Sequence, residues 1–341
     1  MELSPVVATE GFLELARLVD DAGADRLGIS DVALLRDSFM IQALCAGVTQ
    51  RVRVGSVVTN PYMRHPATVA AALATLNEVS RGRAFLGIGV GAGLSGLGID
   101  QSQPARRLEE FVLLVKRMLD GETVDWKSSN YRIDGARIAK DIAAPVPVVV
   151  GTRSQRVANL AGRVADAVVV GAREMTCHAL QRYRNWVNEG AEAAARDPEQ
   201  IEIAPRVTVC VSADGDWARR SVTLYAAHYL SLGGFDDSGL SMDRFERIKG
   251  LTAQATGWYF EPNVQYPSEL DTLISPDLIA RFAIAGTPME CLRQVQRLAE
   301  MGFSSVSMNV AAVRRPSANL YDGLRETLEG LGEITQDIQR L

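Results

Sequence analysis

The sequence predicts an α/β protein built as a (β/α)8 barrel, a TIM barrel with insertions at the C-terminal face of its strands, and three observations carry that prediction. Short apolar, β-branched runs alternate with longer helical patterns along the chain, the signature of repeated βα units on a parallel sheet. Runs such as PVPVVVG and ADAVVVG are continuously apolar rather than alternating, as in strands covered on both faces. Eight such runs fit within 341 residues, which suits one barrel domain spanning 1–341.

In chain order the expected strands are Glu2–Val6, Arg26–Ser30, Arg53–Thr59, Arg83–Gly89, Val146–Gly151, Ala167–Gly171, Glu202–Val211 and Ser304–Asn309. Between them, Gly11–Ala22 places Phe12, Leu15, Ala16, Leu18 and Val19 on one helical face. Ala67–Ser80, Arg106–Leu119, Ser154–Val164, Cys177–Ala195 and Pro288–Met301 read the same way, and Gly23, Gly121 and Gly302 follow their helices as C-cap glycines. Two stretches break the rhythm. Val124–Asp141 carries Trp126, Tyr131 and Ile133 around SSN and predicts a hairpin before the fifth strand. The segment from about Leu232 to Ser275 is rich in Gly, Asp and aromatic residues and predicts an insertion in or after the seventh unit, over the barrel mouth.

Composition narrows the function. A net charge of −5 implies no basic face, so nucleic acid is not an expected partner. Cys45, Cys177, Cys210 and Cys291 are far apart, form no CxxC pair, and join the three histidines in no metal-ligand spacing; buried free thiols are expected. The opening MELSPVVATE has neither a basic start nor an apolar run, and no stretch reaches the roughly 18–20 apolar residues of a membrane helix. A cytoplasmic enzyme acting on a small-molecule substrate, with no membrane partner, is the expectation.

FLGIGVGAGLSG contains Gly91, Gly93 and Gly96 in a GxGxxG pattern after a strand, with Glu109 and Glu110 downstream. A Rossmann dinucleotide site is therefore the rival reading. Against it, the next helical pattern opens only near Ala105, the acidic pair lies on that helix, and the strand is the fourth. Glycines at a strand end equally let a flat ring approach the backbone.

The stretch Val54–Gly91, VGSVVTNPYMRHPATVAAALATLNEVSRGRAFLGIGVG, resembles the luciferase-like monooxygenases. Within them it is most similar to the branch that uses coenzyme F420, a deazaflavin, and especially to methylenetetrahydromethanopterin reductases. PVPVVVGTRSQRVANLAGRVADAVVVGA, AIAGTPMECLRQVQRLAEMGFSSVSM and the RLGISD around residue 30 extend the resemblance over nearly the whole chain except 232–275. It implies a cofactor ring backed by a non-proline cis peptide at the end of the third strand, matched here by Val57–Val58 with Thr59 and Asn60 following. By residue type alone, SVVTN is only a β-branched strand end.

The resemblance further implies that Gly89, Val90 and Gly91 face the ring's edge, and that Gly151, Thr152, Arg153 and Ser154 hold the cofactor phosphate. Free N–H groups at a helix N-terminus, a hydroxyl and a guanidinium suit that task. Gly171 and Arg173, after the sixth strand, are candidates for the cofactor's charged tail. Asp31 ends the second strand, where the family often has an acid–histidine pair; Val32 replaces the histidine, and Asp31 is a catalytic candidate beside His65 in the loop before the third helix. Both residues also read as caps or loop anchors. Some sugar-phosphate dehydrogenases of the branch carry a glutamate where this chain has Ala92, which leaves the general acid unassigned.

The implied activity is hydride transfer between F420 and an organic substrate. Alternatives on the same barrel are an FMN-dependent monooxygenase that uses oxygen and a partner reductase, and a non-catalytic cofactor-binding relative. A homodimer is implied by the family. Substrate choice is expected to reside in 232–275, with Trp258, Tyr259 and Phe260.

Overall fold

The computed structural model describes residues 1–171, 175–233, 235, 238–257, 261, 263–316 and 318–341. Nine parallel strands form its main sheet: β1 (Glu2–Leu3), β2 (Arg26–Ile29), β3 (Arg53–Ser56), β4 (Ala84–Ile88), β7 (Val148–Thr152), β8 (Ala167–Val170), β9 (Glu202–Val211), β10 (Ala283–Gly286) and β11 (Ser307–Val310). An antiparallel hairpin of β5 (Val124–Lys127) and β6 (Arg132–Ala136) stands apart, inside the segment where a hairpin was expected. Eight of the nine parallel strands close a ring in the order β1, β2, β3, β4, β7, β8, β9, β11, with β11 returning to β1.

Closure fixes the geometry. Glu2 pairs with Gly28, Gly28 with Gly55 and Gly55 with Phe85. Carried at constant register through β7, β8 and β9, this row reaches β11 at position 301, whereas Glu2 pairs with Asn309, so one circuit displaces the register by eight residues. That is the shear of a TIM barrel, in which alternate residues of each strand point inward. Val57, Phe85, Val149, Ala167, Val169 and Ala204 pack together as the inner apolar layer.

The strand β10 was not expected. Its run of four small apolar residues adjoins α11 (Pro276–Phe282) without a break and reads with the helix. It pairs with the C-terminal half of β9, Thr208 to Val211, on the same edge whose first half, Glu202 to Pro205, pairs with β8. Pro205, which has no N–H to donate, is the last residue paired with β8. The first strand is shorter than expected, and the last is displaced to 307–310.

Around the ring lie α1 (Thr9–Asp21), α2 (Ser38–Val48), α3 (Pro66–Val79), α4 (Pro104–Leu119), α5 (Gln155–Val164), α6 (Cys177–Ala193), α12 (Pro288–Glu300) and α13 (Leu320–Ile338). Gly23, Gly121 and Gly302 adopt φ near +80° just past their helices, the left-handed C-cap conformation. The second insertion starts earlier than expected. After α7 (Gly215–Ser221), α8 (Thr223–Gly233), α9 (Met242–Thr252), α10 (Glu269–Leu273) and α11 enclose a separate apolar cluster built on Tyr225, Tyr229, Phe245, Ile248 and Phe282. Trp258, Tyr259 and Phe260 lie outside the described residues. Three cysteines are buried as expected, but Cys177, in the first turn of α6, is exposed. Among the described residues no helix is long and apolar enough to cross a membrane.

The α5–α6 pair is held by glycine. A Cβ on Gly190 would sit 1.9 Å from the Asn159 carbonyl oxygen, and one on Gly162 would sit 2.1 Å from the Val187 oxygen. Alanine normally favours a helix by about 1 kcal/mol over glycine. Here overlap with rigid backbone outweighs that gain, since overpacking costs about 1–3 kcal/mol. Gly190→Ala is expected to lower the urea midpoint with an unchanged m-value; a raised midpoint would contradict the contact.

Candidate functional site

The C-terminal ends of β3, β4, β7 and β8 meet around two valines. The peptide bond Val57–Val58 is cis, the bond to which the resemblance pointed. A Cβ on Gly28 would lie 2.3 Å from Val57 Cγ2, and one on Gly151 would lie 2.8 Å from Val58 Cγ1. Gly89 likewise faces Val58, at 3.0 Å from Cγ2. Both consecutive valines therefore stand on the inside of the ring, Val57 toward its centre and Val58 between Gly89 and Gly151. A side chain at either position would crowd Val58. The result is an apolar shelf at the mouth, with no side chain on Gly89 or Gly151 beside Val58.

Hydrogen bonds hold the shelf's edges. The Thr59 N–H donates to the Gly87 oxygen and the Gly89 N–H to the Thr59 oxygen, each at 2.9 Å, prolonging the β3–β4 ladder past the valines. Asn60 is buried; its Oδ1 accepts from the N–H groups of Tyr62 and Met63 and turns the chain away. Gly91 has φ +79°, and a Cβ there would come within 2.9 Å of Leu94. The Gln101 amide donates to the carbonyls of Val90 and Gly91 and fixes this loop. The GxGxxG stretch runs into a short 3-10 turn at Leu94–Leu97, with α4 beginning only at Pro104. Together with the closed barrel, this removes the Rossmann reading.

Asp31 stands at the rim above β2. Its Oδ2 accepts from the Thr59 hydroxyl at 2.6 Å. Burial pushes its carboxyl above the ordinary aspartate range, opposed by the Thr59 bond and the Arg64 charge and aided by Asp37. Arg64 is itself paired with Asp37 and lies over the Phe39 ring. His65 caps α3: its Nδ1 accepts from the Ala67 N–H at 3.2 Å, and its ring meets Tyr131 edge-on. Tyr131, from the β5–β6 hairpin, donates its hydroxyl to the Pro61 oxygen and braces the loop that follows the shelf.

On the opposite side, β7 passes into α5. Ser154 is the helix N-cap, its Oγ accepting from the Val157 N–H. The Thr152 hydroxyl accepts from the Ser154 N–H at 3.1 Å and donates to the Ser154 oxygen. The first N–H groups of α5, at Gln155 and Arg156, point out of the helix end, where an anion is favoured. The Arg153 guanidinium does not turn toward that end. It lies across Gly171, whose would-be Cβ is 2.9 Å from Arg153 Cγ, and donates to the Tyr229 hydroxyl on α8 at 2.8 Å. Arg173 lies outside the described residues.

The structure thus brings Asp31, Val57, Val58, Thr59, Asn60, Gly89, Val90, Gly91, Gly151, Thr152, Arg153, Ser154 and Gly171 around one mouth, with His65 behind the rim as a cap. Residue reading missed Tyr229, His228 and Gln101. Tyr225 and Tyr229 are four apart and stack at 4.6 Å, a spacing visible in the sequence before the segment taken as the insertion.

A closed parallel α/β barrel with a glycine-flanked shelf and a helix N-terminus at its mouth defines the class of α/β-barrel proteins whose sites lie above the strand ends. Residues 3–305 match the family model described as luciferase-like monooxygenase, and the chain belongs to that family. It is an oxidoreductase. It is 27% identical to the 5,10-methylenetetrahydromethanopterin reductase of Methanolobus tindarius over 294 residues, covering 85% of this chain and 87% of that one. It is 31% identical to the F420-dependent glucose-6-phosphate dehydrogenase of Nakamurella multipartita over 219 residues, covering 62% and 64%. The fold of the coenzyme F420-dependent tetrahydromethanopterin reductase from Methanopyrus kandleri superposes with a TM-score of 0.81 at 21% identity, over 98% of this chain and 96% of that one.

The Asp31–Thr59 contact generates a signed prediction. Thr59→Val removes a donor that favours the carboxylate, so the Asp31 pKa should rise further above that of the parent protein. Carboxyl-carbon NMR against pH measures it; an unchanged or lower value would contradict the bond.

Proposed function

We propose that this protein is an F420-dependent oxidoreductase that transfers a hydride between the deazaflavin and an organic substrate seated over the mouth. The observation that carries this reading is the shelf of Val57 and Val58 between Gly89 and Gly151, beside the N-terminus of α5. F420 supplies the redox chemistry, carrying hydride at one carbon of its ring. The chain's own residues supply position. Val57 and Val58 back the ring from inside the barrel, and Gly89, Val90 and Gly91 run along its edge without side-chain obstruction. Thr152, Ser154 and the first N–H groups of α5 receive the phosphate. Gly171 lies beside the tail. Asp31, bonded to the Thr59 hydroxyl at the rim and raised above the ordinary aspartate range by burial, is the candidate acid of the site. Holding the two carbons at near-attack distance is the main contribution to rate.

The relatives named as F420-dependent support the cofactor choice, and FMN on the same loop is the reading to exclude. Fluorescence titration with each cofactor separately is the test. Micromolar F420 binding with much weaker FMN binding is expected, and the reverse preference would transfer the protein to the oxygen-using reading. Gly151→Val, which would add atoms beside Val58, should weaken F420 binding by at least about tenfold through overpacking of the shelf.

The working unit in this reading is a homodimer. The helix α2 buries Ile41 and Cys45, yet its outer face carries Met40 at 69% exposure and Leu44 at 46%, beside Leu34 at 89%. A solvent face this apolar favours a second copy. Met40→Glu with Leu44→Glu should halve the mass measured by light scattering, whereas a monomeric parent protein would overturn the assignment.

A further inference from the structure

We propose that Arg153 and Tyr229 form a substrate-side clamp over the shelf, which selects organic substrates carrying an oxyanion group, a carboxylate or a phosphate. The inference rests on the cofactor ring lying on Val58, as set out above.

The placement follows from strand periodicity. Val149 and Gly151 point inward on β7, Val149 among the inner apolar layer and Gly151 against Val58. Arg153 continues that alternation, and its side chain meets the inward face of Gly171 on the neighbouring strand. Two residues advance about 6.6 Å along a strand tilted about 36° to the barrel axis, so the Arg153 backbone stands roughly 5 Å above Gly151, the residue that faces Val58. A flat ring resting on Val58 occupies the first 3.5–4 Å or so, and a molecule stacked on the ring lies at about 7–8 Å. From that height the side chain, turned toward Tyr229 in the roof, brings the guanidinium into the layer above the ring.

Its partners leave it open to a ligand. Arg153 donates one hydrogen bond, from Nη2 to the Tyr229 hydroxyl, and its guanidinium carbon lies 5.5 Å from the Tyr229 ring centroid. Among the described residues no carboxylate lies within ion-pair distance of it, whereas Arg64, Arg220 and Arg315 near the same face are paired with Asp37, Asp271 and Glu326. A guanidinium carries five N–H donors in a fixed fork that matches an oxyanion. Tyr183 donates its hydroxyl to the Arg153 carbonyl oxygen at 3.0 Å and fixes the backbone from which the side chain reaches. His228 packs edge-on against Tyr229; burial, and then the Arg153 charge, hold it below the usual histidine range. In this arrangement the α5 N-terminus serves the cofactor phosphate and the Arg153 side chain serves the substrate.

The test uses full-length protein loaded with F420, titrated with sodium benzoate and separately with inorganic phosphate while cofactor fluorescence is followed. At least one anion should give a saturable change. Arg153→Met should weaken that anion by about tenfold or more, the loss of a charge-assisted bond, and Tyr229→Phe should weaken it to a smaller extent. F420 affinity should stay within about fivefold in both variants, because an exposed charge one layer away contributes little. A response to benzoate alone identifies carboxylate substrates, and a response to phosphate alone identifies phosphorylated ones. F420 binding with no saturable response to either anion would overturn the clamp and leave the cofactor reading intact. So would an Arg153→Met variant that loses F420 affinity by more than tenfold while its anion response persists. Absence of F420 binding in the parent protein would instead sink the cofactor reading itself.

Discussion

Ring closure with a register shift of eight decides which side chains enter the barrel, and the site depends on that choice. Once Glu2 is opposite both Gly28 and Asn309, the inward positions of every strand follow by alternation. Lower in the barrel those positions hold Phe85, Val149, Val169 and Ala204, which fill the core. At the top they hold Gly89, Gly151 and Gly171, and the space they leave is taken by Val58 and Arg153. A side chain at any of these glycines would displace the shelf or the residue above it. The glycines of the mouth are thus determined by what lies opposite them.

The loops are then held by polar contacts reaching across the barrel's outer layers. Asn60, Gln101 and Thr152 each satisfy backbone groups within or beside their own loops, so the loops need no ligand to keep their shape. The hairpin contributes from outside: Tyr131 bonds the Pro61 oxygen and meets His65 and Phe111 edge-on. An insertion that looks peripheral therefore stiffens the segment immediately after the cis bond.

Much of this was legible in the sequence because barrel strands are buried on both faces and their apolar runs are continuous. The runs around Val148 and Val168 were located to within about two residues for that reason. The strand β10 was not legible, since AIAG is short, lacks a turn signal before it, and pairs with half of a strand whose other half is already paired. The shelf was visible only as a resemblance; SVVTN carries no local mark distinguishing it from any strand end. His65 illustrates the opposite case: a histidine before a proline at a helix start is a cap by local chemistry, and its Nδ1 is used that way. Tyr229 escaped because α8 is apolar on all sides and offers no amphipathic stripe by which its inward face could be recognised.

The two ends of the site are built by different means, and in the proposed reading one holds the cofactor and the other meets the substrate. The shelf and the α5 N-terminus consist of strand ends, glycines and main-chain N–H groups, all fixed by barrel closure. The roof consists of side chains from α8, whose Tyr229 accepts from Arg153 at the mouth, and its apolar cluster takes in Cys210, Ala283 and Ala285 of the barrel strands. The α8 to α11 cluster around Phe245 and Ile248 packs against β9 and β10 through Cys210, Ala283 and Ala285 and shares no residue with the inner layer of the ring. In the proposed reading substrate preference is carried by side chains of the roof and cofactor binding by the strand ends beneath it, as expected when binding groups sit on insertions over a rigid scaffold.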